Sequence, residues 1–147
     1  MKTEQELTAQ QQIIATTIAM AGLTDRHEWD ALPAVFTDEV MADYTALIGG
    51  EPLTTIRATD LIAGWKVGLS AFTATQHLVT NHEVVITGDT AEVRAYFQAT
   101  HCKPDHTLWV VGGRYQYSFQ KVADEWRISA ITLIPIWTRD ERNTYGK

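Results

Sequence analysis

The sequence predicts an α+β fold in which helices from the first half of the chain pack against an antiparallel sheet formed by the second half. Apolar residues recur at helical spacing in segments that end before residue 73, and from residue 75 onward the chain has the composition of strands. A hairpin turn signal, Thr-Gly-Asp-Thr at 87–90, joins two of these strands. Helices followed by a run of strands are typical of α+β proteins.

The first helix is predicted to begin after Thr3, because Thr3 and Glu6 fit a capping box in which each side chain bonds a backbone amide of the first turn. Four apolar residues then define the face that is expected to be buried: Leu7, Ile14, Ile18 and Ala21. We expect Gly22 to weaken or end this helix.

Three further elements are expected before the sheet. Residues 28–36 are predicted to form a short second helix with three apolar side chains on one face: Trp29, Leu32 and Phe36. Residues 40–48 are predicted to form a strand that ends at the turn signal Gly-Gly-Glu-Pro. Residues 58–72 return to helical spacing, with apolar side chains at Leu61, Trp65, Leu69 and Phe72.

The second half of the chain is expected to form four strands, at residues 75–86, 91–101, 108–121 and 126–137. Strands of this length that are joined in hairpins must twist and coil. Helices that pack on the concave side of such a sheet can enclose a pocket, so we expect a cavity between the two layers.

One face of the strand at 91–101 is almost entirely apolar and ends in a histidine: Ala91, Val93, Ala95, Phe97, Ala99 and His101. This face is expected to point toward the core, where an imidazole is a candidate functional group. In the strand at 75–86 neither face is cleanly apolar, so alternation does not decide whether His77 points inward or outward. For both histidines the alternative is a structural, hydrogen-bonded imidazole.

Other candidate residues also have structural alternatives. Asp25 lies at the link between the first two helices, where it would serve as an N-cap. Tyr44 follows Asp43 on a predicted strand, where cross-strand packing is the alternative role. A metal site is not expected, because the five histidines and the single Cys102 lack a tight ligand spacing.

Length, composition and charge bound the partners and the location. The 147 residues fit one domain over 1–147, and 45% hydrophobic residues is ordinary for a globular protein. The 12 Lys and Arg residues against 18 Asp and Glu give a net charge of −6, which disfavours nucleic-acid and anionic membrane partners. No stretch approaches about 18 uninterrupted apolar residues, as a membrane span would. The N-terminus is polar where a secretory signal is apolar, so a cytoplasmic location is expected.

Several short blocks resemble a known family. The run Asp-Arg-His-Glu-Trp-Asp-Ala-Leu at 25–32, followed by Phe-Thr-Asp-Glu-Val at 36–40, resembles the opening of SnoaL-like domains in the nuclear transport factor 2-like superfamily. Further blocks occur in the family's order: Thr-Gln-His at 75–77, Gly-Asp-Thr-Ala at 88–91, Gly-Arg-Tyr at 113–115 and Trp-Arg-Ile at 126–128. The resemblance implies a cone-shaped α+β barrel, with helices and a strongly curved antiparallel sheet around an apolar cavity. It also implies a homo-oligomer, either a dimer or a trimer.

Within that superfamily the sequence is most similar to the branch that contains scytalone dehydratase, bile-acid dehydratase and hexachlorocyclohexane dehydrochlorinase. This resemblance implies an Asp–His dyad formed by Asp25 and His77, in which the carboxylate orients an imidazole that removes a C–H proton. It also implies Tyr44 and His101 as further catalytic residues. The expected substrate-binding residues are Asn81, Phe97 and Trp65.

The function that follows is a cofactor-independent, dehydratase-like lyase acting on a small apolar or cyclic organic molecule. One alternative is a non-catalytic binding or assembly module, because this fold also serves binding alone. Another is a ketosteroid-isomerase-like enzyme in which Asp43 supplies the base. Cyclase chemistry is disfavoured, because the late-strand carboxylate it requires has no counterpart in residues 128–137.

Overall fold

The computed structural model describes residues 1–142, and its elements follow the order helices first, sheet second. The helical elements are α1 (Glu4–Asp25), a 3₁₀ turn (Leu32–Val35), α2 (Thr45–Ile48) and α3 (Ala58–Leu69). The strands are β1 (Phe36–Asp43), β2 (Leu53–Arg57), β3 (Ala74–Thr87), β4 (Thr90–Cys102), β5 (Leu108–Val122) and β6 (Glu125–Asp140). The α+β class is confirmed, and each of the four strands predicted after residue 75 lies within three residues of its predicted bounds.

All six strands form one sheet in the order β2-β1-β6-β5-β4-β3. Neighbouring strands are antiparallel except β1 and β6, which run parallel, so the sheet is mixed rather than wholly antiparallel. The sheet curls around the helices without closing, with β2 and β3 as its two edges. Within residues 1–142 no helix is long and apolar enough to cross a membrane.

Helix α1 packs on the sheet through a face that matches the predicted one only in part, since Ala21 is buried and Ile14 is half-buried. The predicted capping box is present, because the Thr3 hydroxyl accepts from the Glu6 amide at 3.1 Å and the Glu6 carboxylate accepts from the Thr3 amide at 2.8 Å. However, Leu7 and Ile18 are exposed. The buried residues are Ile13, Thr17, Met20, Ala21 and Thr24.

Threonine can lie on the buried face of α1 because its hydroxyl finds partners there. The Thr17 hydroxyl donates to the Ile14 carbonyl at 2.7 Å and accepts from Nε2–H of His82 at 2.7 Å. A buried hydroxyl with both roles filled avoids the cost of an unsatisfied polar group. Gly22 does not end the helix, which continues to Asp25.

The predicted second helix at 28–36 is largely absent. Only Leu32–Val35 forms a short 3₁₀ turn, and Phe36 is already the first residue of β1. Proline is tolerated only in the first turn of a helix, and Pro33 stands at the start of this turn. The predicted strand at 40–48 is also shifted, because β1 ends at Asp43 and residues 45–48 form α2.

The predicted inward face of β4 is confirmed, since all of its residues from Ala91 to His101 are buried. Strand β3 carries an irregularity that explains its ambiguous alternation. Asn81, with φ of 58°, and His82 together oppose the single residue Ala95 of β4, which is a β-bulge. The partly buried residues are therefore Thr75, His77 and Val79 before the bulge, and His82, Val84 and Ile86 after it.

Candidate active site

A cavity of about 550 Å³ lies between the concave face of the sheet and the helices. Its wall is mostly apolar and includes Met20, Leu61, Trp65, Leu69, Phe97 and Val111. Hydroxyl, carboxyl and imidazole groups reach it from Thr24, Tyr44, Asp60, His77, His101 and Tyr115. Two of the three expected substrate-binding residues, Phe97 and Trp65, thus line the cavity.

The C-terminus of α1 brings Asp25 against the first half of β3. The carboxylate accepts a hydrogen bond from Nδ1 of His77 at 2.7 Å and another from the His77 backbone amide at 2.7 Å. The Thr75 hydroxyl donates a third bond at 2.9 Å. Asp25 therefore does not cap a following helix; its carboxylate joins α1 to the edge strand β3.

These bonds favour the ionised form of Asp25 and fix the tautomer of His77. Burial alone would raise the pKa of Asp25, but the bonds from the ring and backbone of His77, the charge of His77 and the bond from Thr75 together lower it below 3.8. An ionised carboxylate can only accept, so Nδ1 of His77 carries the proton. In this tautomer the lone pair of the imidazole is on Nε2, and His77 lines the cavity with its side chain 13% exposed.

His101 lies beside His77 in the same cavity and is 5% exposed. Its Nδ1 donates to the Trp109 carbonyl at 3.0 Å, so its lone pair is also on Nε2. The ring packs against both Phe72 and Trp109, at centroid distances of 4.9 and 4.4 Å, and is 6.0 Å from the ring of His77.

The charge state of His101 is set mainly by its surroundings. Burial lowers its pKa from 6.5, and the nearby His77 acts in the same direction. The bond to the Trp109 carbonyl and the charge of Asp25 oppose this change without reversing it. His101 is therefore a neutral hydrogen-bond acceptor near pH 7 rather than a proton donor.

Tyr44 lines the cavity from the position immediately after β1, with its ring in edge contact with Trp65 at 6.4 Å. Burial raises the pKa of Tyr44 well above 10.0, and the neighbouring Tyr115 adds to this, so the phenol keeps its proton. Its neighbour Asp43 is not part of the cavity wall. The Asp43 carboxylate accepts from the amide and hydroxyl of Thr45 at 3.0 and 2.6 Å, which leaves the isomerase alternative without its base.

The structure places Asn81 away from the other expected site residues. Asn81 is exposed at the bulge of β3 and is not part of the cavity wall. The sequence alternation could not show this, because the bulge reverses the inside and outside positions within the strand.

Sequence reasoning gave no role to Tyr115, which is 4% exposed and lines the cavity. The alternation of β5 could have identified it, because Val111, Gly113 and Tyr115 share one face of this strand, as the inward residues of β4 do. Within residues 1–142, no three His, Cys, Asp or Glu side chains are grouped so that they could hold a metal ion.

The fold agrees with a family comparison. A family model described as a SnoaL-like domain matches residues 5–132. The chain belongs to this family. No curated protein sequence gives a significant match to this SnoaL-like protein.

Several solved structures share the fold of the SnoaL-like protein. The Kfla4162 protein from Kribbella flavida is 30% identical with a TM-score of 0.87, over 91% of this chain and 95% of that chain. A Novosphingobium aromaticivorans protein provisionally named scytalone dehydratase shares the fold, at 20% identity, a TM-score of 0.81 and 99% of both chains. The hexachlorocyclohexane dehydrochlorinase LinA-type3 from Novosphingobium barchaimii also shares it, at 11% identity and a TM-score of 0.77, over 94% of this chain and 93% of that chain.

Proposed function

We propose that this SnoaL-like protein is a cofactor-independent lyase that removes water from a small cyclic molecule bearing a carbonyl group. The observation that carries the proposal is the Asp25–His77 dyad, whose imidazole lines a mostly apolar cavity. Elimination from carbon needs a base with a pKa near neutrality and a group that stabilises the cation formed on that base. An ionised carboxylate on the far ring nitrogen meets the second requirement.

His77 performs the proton transfer in this proposal. Its Nε2 takes the proton from the carbon next to the carbonyl, and the C–H electron pair forms an enolate. The resulting imidazolium is stabilised by Asp25, which accepts the bond from Nδ1–H. When the enolate collapses, the β-hydroxyl leaves as water by taking the proton that His77 now holds on Nε2.

The neighbouring groups position the substrate and stabilise the enolate. Tyr44 keeps its proton and donates a hydrogen bond to the enolate oxygen. The Nε2 of neutral His101 accepts a hydrogen bond from the β-hydroxyl before it leaves. The apolar walls, including Phe97 and Trp65, exclude water and strengthen each of these contacts.

Two of the solved neighbours support the same reaction class by their names, scytalone dehydratase and hexachlorocyclohexane dehydrochlorinase. A dehydratase removes water and a dehydrochlorinase removes hydrogen chloride, so both names describe an elimination. Their low identity to this chain makes the cavity geometry the stronger support.

The proposal is tested first by proton exchange, which needs no leaving group. In D₂O at pH 7 we expect the protein to accelerate exchange of the α protons of 2-tetralone, followed by ¹H NMR. The variant His77→Asn should lower the rate by about 10²–10⁴-fold, because it removes the base. The matched control His106→Asn changes an exposed loop histidine and should leave the rate unchanged.

Elimination itself is tested with 3-hydroxy-1-tetralone. Loss of the C2 proton and the C3 hydroxyl gives water and an enone that tautomerises to 1-naphthol, which is detected by fluorescence. If the protein accelerates neither reaction, or if His77→Asn is as active as the unmodified protein, the lyase proposal is wrong. Tight binding of these ketones without either reaction would favour the binding-module alternative.

We also propose that the protein forms a homo-oligomer through the outer face of its sheet. Leu78, Val85 and Tyr96 point away from the cavity and are 53%, 65% and 49% exposed. Exposed apolar groups on one sheet face are typical of subunit contacts. Sedimentation equilibrium of the protein and of Leu78→Glu measures this, and a monomer at all concentrations would contradict it.

A further inference from the structure

Two phenol groups, those of Tyr44 and Tyr115, face the cavity. Tyr44 and Tyr115 both line it, and neither hydroxyl makes a hydrogen bond within residues 1–142. Burial raises the pKa of both tyrosines above 10.0, with further contributions from Tyr115 for Tyr44 and from Asp25 for Tyr115. Both phenols therefore keep their protons and offer them as hydrogen-bond donors.

The strand register brings these tyrosines to the same level of the cavity. Asp43 pairs with Thr132, so Tyr44 follows at the level of Leu133 on β6. Leu133 is in turn paired with Tyr115 on β5. The two tyrosines are thus two strands apart, about 10 Å between backbones, a gap that two inward-pointing phenol side chains can close from opposite sides.

Aromatic contacts hold both rings in place. Phe97 stacks on Tyr115 with a centroid distance of 4.1 Å and an interplanar angle of 21°. Trp65 meets the ring of Tyr44 edge-on, and the same indole meets Phe36 at 5.7 Å. A ligand therefore meets donors that are already oriented, and pre-organised groups bind at a lower entropic cost.

The charged residues at and near the cavity wall indicate which ligand charge the cavity can accept. None of the described residues that line the cavity is Lys or Arg. The carboxylate of Asp60 is paired with Arg57 at 3.0 Å, and Asp25 places a negative charge near the wall. A carboxylate or phosphate would lose its water of hydration without gaining a cationic partner. The acceptor that suits two neutral donors is an uncharged oxygen.

We propose that Tyr115 and Tyr44 form a two-donor site that selects ligands carrying an uncharged carbonyl oxygen on an apolar ring system. The assignment deepens the proposed lyase function. It rests on that function only in assuming that the ligand occupies the same cavity as the substrate. His77 on β3 is level with Ala99 on β4 and with Val111 on β5. Tyr115 lies four residues beyond Val111, which is about 13 Å along β5. His77, Tyr44 and Tyr115 all line the same cavity, whose volume of about 550 Å³ is in the range of pockets that hold small organic ligands.

The test compares two probes of the same shape, 2-acetylnaphthalene and 2-isopropenylnaphthalene, in which a CH₂ group replaces the carbonyl oxygen. Binding is followed by quenching of the cavity tryptophans, Trp65 and Trp109. We expect the ketone to bind about twentyfold more tightly than the hydrocarbon. Tyr115→Phe and Tyr44→Phe should each lower the affinity for the ketone about fivefold, and neither should change the affinity for the hydrocarbon.

The matched control is Tyr96→Phe, which removes a hydroxyl from an exposed tyrosine on the outer face of the same sheet. It should leave both affinities unchanged. The double variant of Tyr44 and Tyr115 should bind the two probes equally. Equal binding of the probes by the unmodified protein, failure of both to bind, or a ketone preference that survives Tyr115→Phe would overturn the assignment.

The same measurement separates this assignment from the lyase proposal. His77→Asn should keep the ketone preference, because the two phenols are unchanged. If the protein proves unable to exchange protons yet keeps the preference, the lyase proposal fails and the two-donor site stands. If exchange occurs but Tyr115→Phe binds the ketone as well as the unmodified protein does, the two-donor site is wrong and the lyase proposal stands.

Discussion

The Asp25 carboxylate accepts hydrogen bonds from both the ring and the backbone of His77, each at 2.7 Å. One side chain therefore fixes the position of the strand and the tautomer of the imidazole it carries. Such a carboxylate is a positioning group, since His77 rather than Asp25 lines the cavity.

Asp25→Asn should impair proton transfer while preserving the fold. An amide oxygen can accept only part of the bonding that the carboxylate accepts, and the amide nitrogen cannot accept from Nδ1–H. The imidazole then loses its preferred tautomer and the stabilisation of its cation. We expect the rate of 2-tetralone exchange to fall about 10²–10⁴-fold, with an unchanged circular dichroism spectrum. A folded variant with an undiminished rate would remove Asp25 from the mechanism.

The buried imidazole of His101 should make the protein less stable in mild acid. Burial lowers its pKa from 6.5, so below pH 6.5 the unfolded chain takes up a proton that the folded chain does not. The free energy of unfolding therefore falls as the pH drops from 6.5 toward the pKa of His101 in the folded protein.

Urea unfolding at a series of pH values measures this effect. His101→Gln should reduce the slope below pH 6.5, because its side chain does not titrate. Part of the slope should remain, since burial also lowers the pKa of His82. Identical slopes for the variant and the unmodified protein would show that His101 does not contribute.

Gly113→Ala should destabilise the protein more than Gly112→Ala. A Cβ at Gly113 would lie 2.3 Å from the Ile134 carbonyl oxygen, where only a backbone shift gives relief. A Cβ at Gly112 would meet the ring of Trp137 at 2.2 Å, but that side chain is 47% exposed and can rotate away. We expect a loss of about 2–3 kcal/mol for Gly113→Ala in chemical unfolding.

The control for this pair is Gly68→Ala in helix α3, where a Cβ would meet nothing within 4 Å. Alanine is the better helix former, so this change should raise stability by up to about 1 kcal/mol. Equal stabilities of the variants at 112 and 113 would contradict the argument from side-chain freedom.

Tyr117→Phe should leave stability unchanged or raise it. The Tyr117 hydroxyl is buried without a hydrogen-bond partner among the described residues, and the side chain is fully buried. Removing an unsatisfied polar group while keeping the ring can stabilise a protein by about 1 kcal/mol. Thermal unfolding measures the change, and a clear loss of stability would show that the hydroxyl has a partner.

Strands β3 to β6 could be predicted because each contains a regular alternation or borders a clear turn. The alternation of apolar and polar residues was sufficient to predict the inward face of β4, and the turn at 87–90 indicated where this strand begins. The short strand β2 could not be found in this way, since four of its five residues are exposed and its one partly buried residue is Ile56.

The buried face of α1 was predicted only in part, because apolar character alone does not select it. Thr17 is fully buried through a hydrogen bond to His82, a residue 65 positions away in the sequence. The candidate site shows the same limit. Resemblance suggested Asp25 and His77, but the orientation of His77 depends on where the bulge lies in β3, which periodicity does not reveal.

The bulge at Asn81 allows the long N-terminal helix to be tethered at two points on a single strand. Asp25 meets His77 near one end of the strand, and Thr17 meets His82 further along it. The two histidines are an odd number of residues apart, so a perfectly regular strand would turn one of them to solvent. A chain without Asn81 could keep the contact of Thr17 with His82, which anchors the middle of α1, or the contact of Asp25 with His77, which orients the imidazole, but not both.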